Sequence, residues 1–312
     1  MSTGTPYPFN VSLPSALIHA APFTSNTSSG WAASCNECAN GVWSTNAVNS
    51  SISFSFYGWD VAFDGQVQGD MSIKLAVDGI DTSLTSVPGS IFELKGLDPF
   101  KQHSVELSVH SASSGSLLSV SQARVNGSTF SDLRQDRAIW DLPTNDGSVT
   151  WNGFQQQPSA SGSFSPTTYV SSKAGDTGSV QFNGSAVTIY GPCSPTSGLL
   201  RVQLDSNEAV TVNTSSPITS PNCLLYQTPG FSALSVHTLS VTSADQNPVS
   251  INHFEFCRVF AFASTTNNVA PGAIVGGVIG GIVLIAILIV VYSMRSRKTR
   301  QKVNRAFSMF CS

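Results

Sequence analysis

The sequence predicts an all-β protein built twice over: two tandem β-sandwich domains followed by one C-terminal transmembrane α-helix. Three observations carry this. Before Gly272 the apolar residues fall in short alternating runs broken by Gly, Pro, Asn and Asp, with no sustained 3.6-residue period. The pattern F-x-G-x-x-V-x-φ-x-G, with φ a large apolar residue, occurs at Phe56–Gly65 (FYGWDVAFDG) and again at Phe182–Gly191 (FNGSAVTIYG). Finally, Gly272–Met294 (GAIVGGVIGGIVLIAILIVVYSM) runs 23 residues without a charge.

Composition sets the outer limits. A chain of 312 residues holds two domains of ordinary size. Charged residues are 11% of it and Ser plus Thr roughly a quarter, too apolar for wholesale disorder and poor in charge for a cytosolic enzyme. The net charge of -3 divides unevenly. The last 18 residues carry six bases and no acid, so the tail is +6 and everything before it -9. Nucleic acid is excluded as a partner, because the body lacks a basic face and the only basic cluster abuts the apolar segment.

The first domain is expected over 1–130 and the second over 131–262. In the repeated pattern Phe56, Val61 and Phe63, and then Phe182, Val187 and Ile189, fill an inner sheet face. Gly58 and Gly184 permit a turn or bulge between its two halves. The repeat continues beyond it. Ile73-Leu75-Val77-Asp78 matches Leu200-Val202-Leu204-Asp205, and GLDPFKQH (Gly96–His103) matches GFSALSVH (Gly230–His237). Each His opens an alternating strand, Val105-Leu107-Val109 or Leu239-Val241, and Leu118-Val120 then matches Val249-Ile251. Asp78-Gly79 is a hairpin signal, with Asp205-Ser206 a weaker version. A period near 130 residues is too long for a solenoid and fits duplicated domains of about eight strands.

With these motifs and a Gly-rich apolar segment, the chain resembles a family of single-pass surface proteins of mushroom-forming fungi. Members carry paired β-sandwich domains of galactose-binding-like jelly-roll type. The resemblance spans nearly the whole chain and rests on scaffold motifs. It implies jelly-roll sandwiches outside the cell, a membrane helix, and a family largely without assigned activity. The polar stalk, Ala263–Pro271, is short for this type.

Residues 272–294 are long enough to span a bilayer core of about 30 Å with some tilt. The basic run from Arg295 follows at once, which places the tail (295–312) in the cytoplasm and the body outside. Gly276 with Gly280, and Gly277 with Gly281, form overlapping G-x-x-x-G pairs that allow a homodimer through close helix approach. The lipid bilayer is thus one expected partner. Met1–Phe23 shows neither a charged n-region nor a continuous apolar stretch. The favoured expectation is a sequence that begins after its signal; the alternative is a tail-anchored protein with a cytosolic body.

Five cysteines precede the apolar segment. Outside the cell, Cys193 and Cys223 are candidates to bridge two loops of the second domain. Cys35 and Cys38 form a C-x-x-C without thioredoxin context or a second pair for zinc, so a local disulfide is expected. Cys257 is then left over, in the interior. N-glycosylation sequons stand at Asn10, Asn26, Asn49, Asn126 and Asn213, with a sixth at Asn183 inside the strand motif.

No G-x-S-x-G, H-E-x-x-H, P-loop or dinucleotide fingerprint is present. Asp60, Asp64, Asp70, Asp78 and Asp81 crowd one stretch, but no EF-hand spacing orders them, and turn acids are the expected reading. His103 and His237 hold equivalent positions, which favours a shared structural role. Sugars stack on exposed aromatics, and Trp31 and Trp43 lie in Gly/Ser/Asn-rich stretches, so these two are the candidate ligand-stacking residues; packing is the competing reading. Trp59 shares strand parity with Val61 and Phe63 and is expected in the core. The sequence therefore predicts a non-enzymatic type I surface protein at the plasma membrane, without cofactor or metal. Its expected role is recognition or sensing at the cell wall, with wall polysaccharide or another glycan as candidate ligand. The rivals are an adhesion spacer, a wall-modifying hydrolase with two carboxylates in a cleft, and the tail-anchored form.

Overall fold

Alternation in the sequence becomes strand throughout. The computed structural model describes residues 8–34, 41–85, 87–98, 101–126, 137–229 and 231–259, and these contain strands and turns with no helix. The Cys35–Cys38 pair, the stalk, the apolar segment with Gly276, Gly277, Gly280 and Gly281, and the basic tail lie outside the described residues.

The first lobe begins with β1 (Phe9–Ser12), β2 (Ile18–Ala21), β3 (Ala32–Ala33), β4 (Trp43–Thr45), β5 (Ser51–Tyr57) and β6 (Asp60–Gln68). It continues through β7 (Met71–Val77), β8 (Ile80–Thr82), β9 (Ser90–Lys95), β10 (Gln102–Ala112) and β11 (Leu117–Val125). The second lobe opens with β12 (Arg137–Pro143), β13 (Val149–Asn152), β14 (Gln155–Pro158), β15 (Thr167–Ser171), β16 (Thr177–Phe182) and β17 (Ala186–Cys193). Then come β18 (Leu199–Leu204), β19 (Val210–Asn213), β20 (Ser220–Pro229), β21 (His237–Ser243), β22 (Val249–Ile251) and β23 (His253–Val259).

One sheet of the first lobe orders β3-β4-β11-β6-β9, with β1 also on β11; the other orders β2-β5-β10-β7-β8. The second lobe has β12-β23-β17-β20, β13-β16-β21-β18-β19 and a short β14-β15-β22. Strand for strand this is one plan used twice. The pairing of β1 with β11 recurs as β12 with β23, β5 with β10 as β16 with β21, and β6 with β9 as β17 with β20. The long β11 is matched by β22 plus β23, interrupted at Asn252. Among the described residues no strand pairing joins the two lobes, yet both belong to one compact unit ending at Ala261.

The duplicated motif is the corner where the chain leaves one sheet for the other. β5 and β6 are not neighbours in either sheet. Phe56, next to last in β5, and Val61 and Phe63 of β6 enter the same core from the two sheets, all at most 1% exposed. Phe182, Val187 and Ile189 repeat the arrangement in the second core. Burying each such side chain contributes roughly 1.5–3 kcal/mol. Gly58 sits in the corner, where a Cβ would come 2.6 Å from Val125 Cγ1. Trp59 is half-buried and outside the core, because the corner breaks the alternation and inward parity restarts at Val61. The closing glycine has its own cause. A Cβ on Gly65 would lie 2.0 Å from the Ser119 carbonyl oxygen, and one on Gly191 2.0 Å from that of Ser250. In each lobe the neighbouring strand is irregular at this point and presses its backbone onto the glycine.

The other two repeated motifs meet each other. Asp78 turns the β7–β8 hairpin with φ 51°, followed by Gly79 at φ 79°, the twist a two-residue hairpin needs. Its Oδ2 accepts from His103 Nδ1 at 2.9 Å and its Oδ1 from the Ser104 N–H at 2.9 Å. His103 Nε2 donates to the Asp98 carbonyl at 2.9 Å. Both ring nitrogens face oxygen atoms, a carboxylate on one side and a carbonyl on the other. In the second lobe Asp205 (φ 52°) meets His237 Nδ1 at 2.8 Å and the Thr238 N–H at 2.8 Å, while His237 Nε2 donates to Ser232 at 2.9 Å. The shared structural role expected for the histidines is this clasp, which ties a hairpin to the loop entering the next long strand.

The clasp depends on ionised carboxylates. The Ser104 N–H, then His103, hold the Asp78 carboxyl down at about 2 against an ordinary 3.8. For Asp205 burial works the other way, but His237 and the Thr238 N–H outweigh it and lower the carboxyl. Between about pH 4 and 2 the unfolded chain therefore binds protons that the folded clasp refuses. Stability from the clasp is complete above pH 4 and falls away as the pH drops toward 2. In acid unfolding, Asp78→Asn should flatten this limb of the stability curve; an unchanged slope would sever the clasp from stability.

A second expectation concerns the glycines. Gly65→Ala forces backbone apart and should cost about 2 kcal/mol or more. Gly79→Ala has open space and only its φ to resist it, and should cost about 1 kcal/mol. Denaturant midpoints of the two variants decide; equal losses would contradict the close-approach argument.

Candidate functional site

A turn of the first lobe is seated on two strands of the second that a disulfide ties together. Residues 13–17, Leu-Pro-Ser-Ala-Leu, form the turn between β1 and β2, with Ser15 N–H on Ser12 O at 2.9 Å and Ile18 N–H on Ser15 O at 3.1 Å. Residues 144–148 of the second lobe, Thr-Asn-Asp-Gly-Ser, make the same turn, with Asp146 N–H on Pro143 O at 3.0 Å and Val149 N–H on Asp146 O at 3.1 Å. One turn is apolar and the other polar. The reason is what they touch. Ser15 Oγ donates to the Leu224 carbonyl at 2.6 Å, and Ala16 packs into a buried cluster with Cys193, Cys223 and Leu225. The first core itself runs on into Ala186, Ile218 and Leu224 of the second lobe.

Cys193 and Cys223 are disulfide-bonded, 30 residues apart in sequence. They lie on the paired strands β17 and β20, where the sequence points to two loops. The Pro14 carbonyl oxygen rests 3.0 Å from Cys193 Sγ and 3.3 Å from Cys223 Sγ. Closing such a loop stabilises the fold by about 3–4 kcal/mol on the loop-entropy account. Here it also stiffens the surface on which the first lobe is seated.

Beside the seam a cleft of about 290 Å³ opens between the lobes. Ser55, Tyr57 and Gln102 line it from the outer face of β5 and β10. Asn207 and Glu208, Val210, Tyr226, Thr228 and Phe231 line it from β18–β20 and the loop after β20. Gln227 spans the base: its Nε2 donates to Tyr57 O at 3.4 Å and its Oε1 accepts from Tyr57 N–H at 3.5 Å. Burial, with a further contribution from Tyr57, raises the Tyr226 hydroxyl above its usual range, so it stays protonated as a hydrogen-bond donor. Tyr57, Tyr226 and Phe231, with the buried Phe56 behind them, therefore share one small cleft with the amides of Gln102, Asn207 and Gln227, a carboxylate and hydroxyls. Glu208 is the charged side chain among them.

Trp31 and Trp43, the stacking candidates, are 0% exposed and belong to the first core. Their Gly/Ser/Asn-rich surroundings supply tight turns over which the rings close, with Phe23 edge-on to Trp43 at 4.9 Å. Trp151 stacks on Tyr169 at 4.6 Å and donates through Nε1 to Thr144 O at 2.9 Å. Sequence reasoning missed Tyr57, Tyr226 and Phe231, whose value lies in being brought together from distant strands.

Of the sequons, Asn10, Asn26, Asn49 and Asn213 are exposed. Asn126 is 4% exposed with φ 54°, and its Oδ1 accepts the Trp59 N–H at 2.9 Å. A glycan has no room there, which corrects that candidate. Cys257 is buried in β23.

The aspartates crowded in the sequence do not converge. Asp64 is held by Arg124 Nε at 2.8 Å, Gln122 at 2.7 Å and Ser90 at 2.9 Å, while Asp78 belongs to its clasp. Among the described residues no three metal-ligating side chains gather. Another carboxylate pair appears instead. Asp141 on β12 and Glu255 on β23 are direct cross-strand neighbours, with Thr188 next in the row. Burial raises both carboxyls, and for Glu255 Asp141 adds to the effect. Nearby, His253 lies parallel to Tyr190 at 4.6 Å, and burial holds the imidazole down at about 4, hence neutral at pH 7.

No family model matches the chain, and no curated protein sequence matches it. Among solved structures it is similar to a family two carbohydrate esterase from Cellvibrio japonicus, at 10% identity and TM-score 0.31, over 40% of this chain and 36% of that one. It is also similar to a two-domain esterase active on acetylated mannans, co-crystallised with mannopentaose, at 19% identity and TM-score 0.34, over 39% and 37%. The extracellular domain of ANXUR2 from Arabidopsis thaliana matches at 8% identity and TM-score 0.27, over 83% and 90%. The chain thus spans about a third of the length of the two esterases.

Proposed function

We propose that the protein is a surface-anchored recognition module that binds neutral wall glycans in the cleft between its lobes without converting them. The observation that supports this is the lining of the cleft. A pyranose ring offers an apolar C–H face to Tyr57, Tyr226 or Phe231 and hydroxyls to Gln102, Asn207 and Glu208. In this reading residues 272–294 cross the plasma membrane, the jelly-roll lobes face the wall and the basic tail stays in the cytoplasm. The apolar length and the charge step at Arg295 support it. A second reading, a rigid spacer without small ligand, draws on the same fastening of the lobes.

Calorimetry of the full-length protein in detergent micelles against β-glucan, mannan and chitin fragments separates the two. Binding that weakens at least tenfold in Tyr57→Ala, about 1.4 kcal/mol, is the expected result. Silence toward every fragment leaves the spacer. Topology is tested on intact cells, where endoglycosidase should increase the mobility of the protein and added protease should remove its body. A body protected from protease would overturn the outward-facing arrangement.

A further inference from the structure

The docked turn has an acceptor, and the duplication supplies that acceptor twice. Register equates Gly65 with Gly191, Val67 with Cys193, and Ile91 with Leu225, through the matching pairs Phe63–Phe92 and Ile189–Tyr226. In the second lobe Cys193 and Leu225 hold Ala16 and are at most 1% exposed. In the first lobe the same place is a groove of about 480 Å³, lined by Val67, Met71, Ile73, Leu84, Val87 and Ile91. Val67 is 38% exposed there, against 1% for its counterpart Cys193. Ile73 is half-buried, where its counterpart Leu200 is fully covered.

The donor side shows what an undocked end becomes. The docked turn is Leu-Pro-Ser-Ala-Leu, whereas its equivalent in the second lobe is Thr-Asn-Asp-Gly-Ser. The acceptor groove of the first lobe is not polar in this way: Val67, Met71, Ile73, Leu84, Val87 and Ile91 line most of it, with Gln66 and Ser90 as its polar side chains. We propose that this groove is a docking site for an apolar, proline-containing β-turn of the Leu-Pro-Ser-Ala-Leu kind, presented by another β-lobe protein. The seat is the one the second lobe already offers to Pro14, Ser15 and Ala16. The second lobe's own turn is too polar to fill it, so a second copy of this chain is not the occupant. The contact is head-to-tail and heterologous. This inference stands apart from the glycan reading, and the groove shares no lining residue with the cleft.

The test uses the full chain in micelles with methyl-labelled methionine. Of the four methionines, Met71 lies in the groove, and Met71→Leu assigns its signal. A cyclised peptide of residues 12–18 (SLPSALI) should shift the Met71 methyl saturably, and Val67→Asp should weaken that response at least tenfold. A cyclised peptide of residues 143–149 (PTNDGSV) should leave it unmoved. No shift, a shift indifferent to Val67→Asp, or an equal response to the second peptide would overturn the proposal, the last by making a second copy the occupant. A grafted chain provides an independent reading, with Thr144→Leu, Asn145→Pro, Asp146→Ser, Gly147→Ala and Ser148→Leu completing the missing donor. It should associate at least tenfold more tightly than the unaltered chain in the same micelles, and Val67→Asp should abolish the gain. A graft that sediments like the unaltered chain would count against the groove.

Discussion

Each lobe is governed by one requirement: the chain must change sheets between the fifth and sixth strands without exposing the large apolar residues on either side. Phe56 and Phe63 have to enter the same core from the two sheets, although only six residues separate them. A corner that tight leaves no room for a side chain at Gly58, and the closing Gly65 is pinned by the Ser119 carbonyl. Everything that follows hangs on the corner. It sets which face of β6 is inward, hence the register of β9 and β11 against it, hence where Asp64 in the polar outer row meets Arg124 in an ion pair and Gln122 in a hydrogen bond.

The Asp–His clasp secures the opposite sheet in the same economical way. A hairpin and a long loop are distant in sequence, 25 residues in the first lobe and 32 in the second, and a single carboxylate receives both. Because each imidazole faces a carboxylate on one side and a carbonyl on the other, the loop before β10 or β21 is fixed in position. In the second lobe this loop carries Phe231 to the rim of the cleft. A scaffold motif thereby positions a candidate binding residue, although neither Asp205 nor His237 touches the cleft.

The differences between the lobes follow what each repeated element touches. The turn that meets the other lobe is apolar, and its equivalent, which meets solvent, is polar. The strands that receive the turn carry a disulfide, where their counterparts in the first lobe have Val67 and Gly89. Burial of the seam makes the cleft geometry dependent on both lobes: Gln227 reaches across to the backbone of Tyr57, so neither wall is set by one lobe alone.

Much of the scaffold was legible in the sequence, because strand alternation and repeated glycines are local signals. The all-β class, the inward residues of the duplicated motif and the equivalence of His103 with His237 all follow from periods of two and from repetition. The cleft was not legible. Tyr57 and Tyr226 are 169 residues apart and carry no local mark, and Trp31 and Trp43 misled because composition around a ring says nothing about whether a core closes over it. Asn126 likewise satisfies a sequon by its neighbours while its burial is decided by the corner at Gly58. Sequence by itself determined the strands, the duplication and the apolar stretch near the C-terminus, since these are patterns along the chain. Only tertiary structure decided which aromatics reach solvent, which cysteines lie on paired strands and which turn is covered, because each depends on what a distant segment packs against.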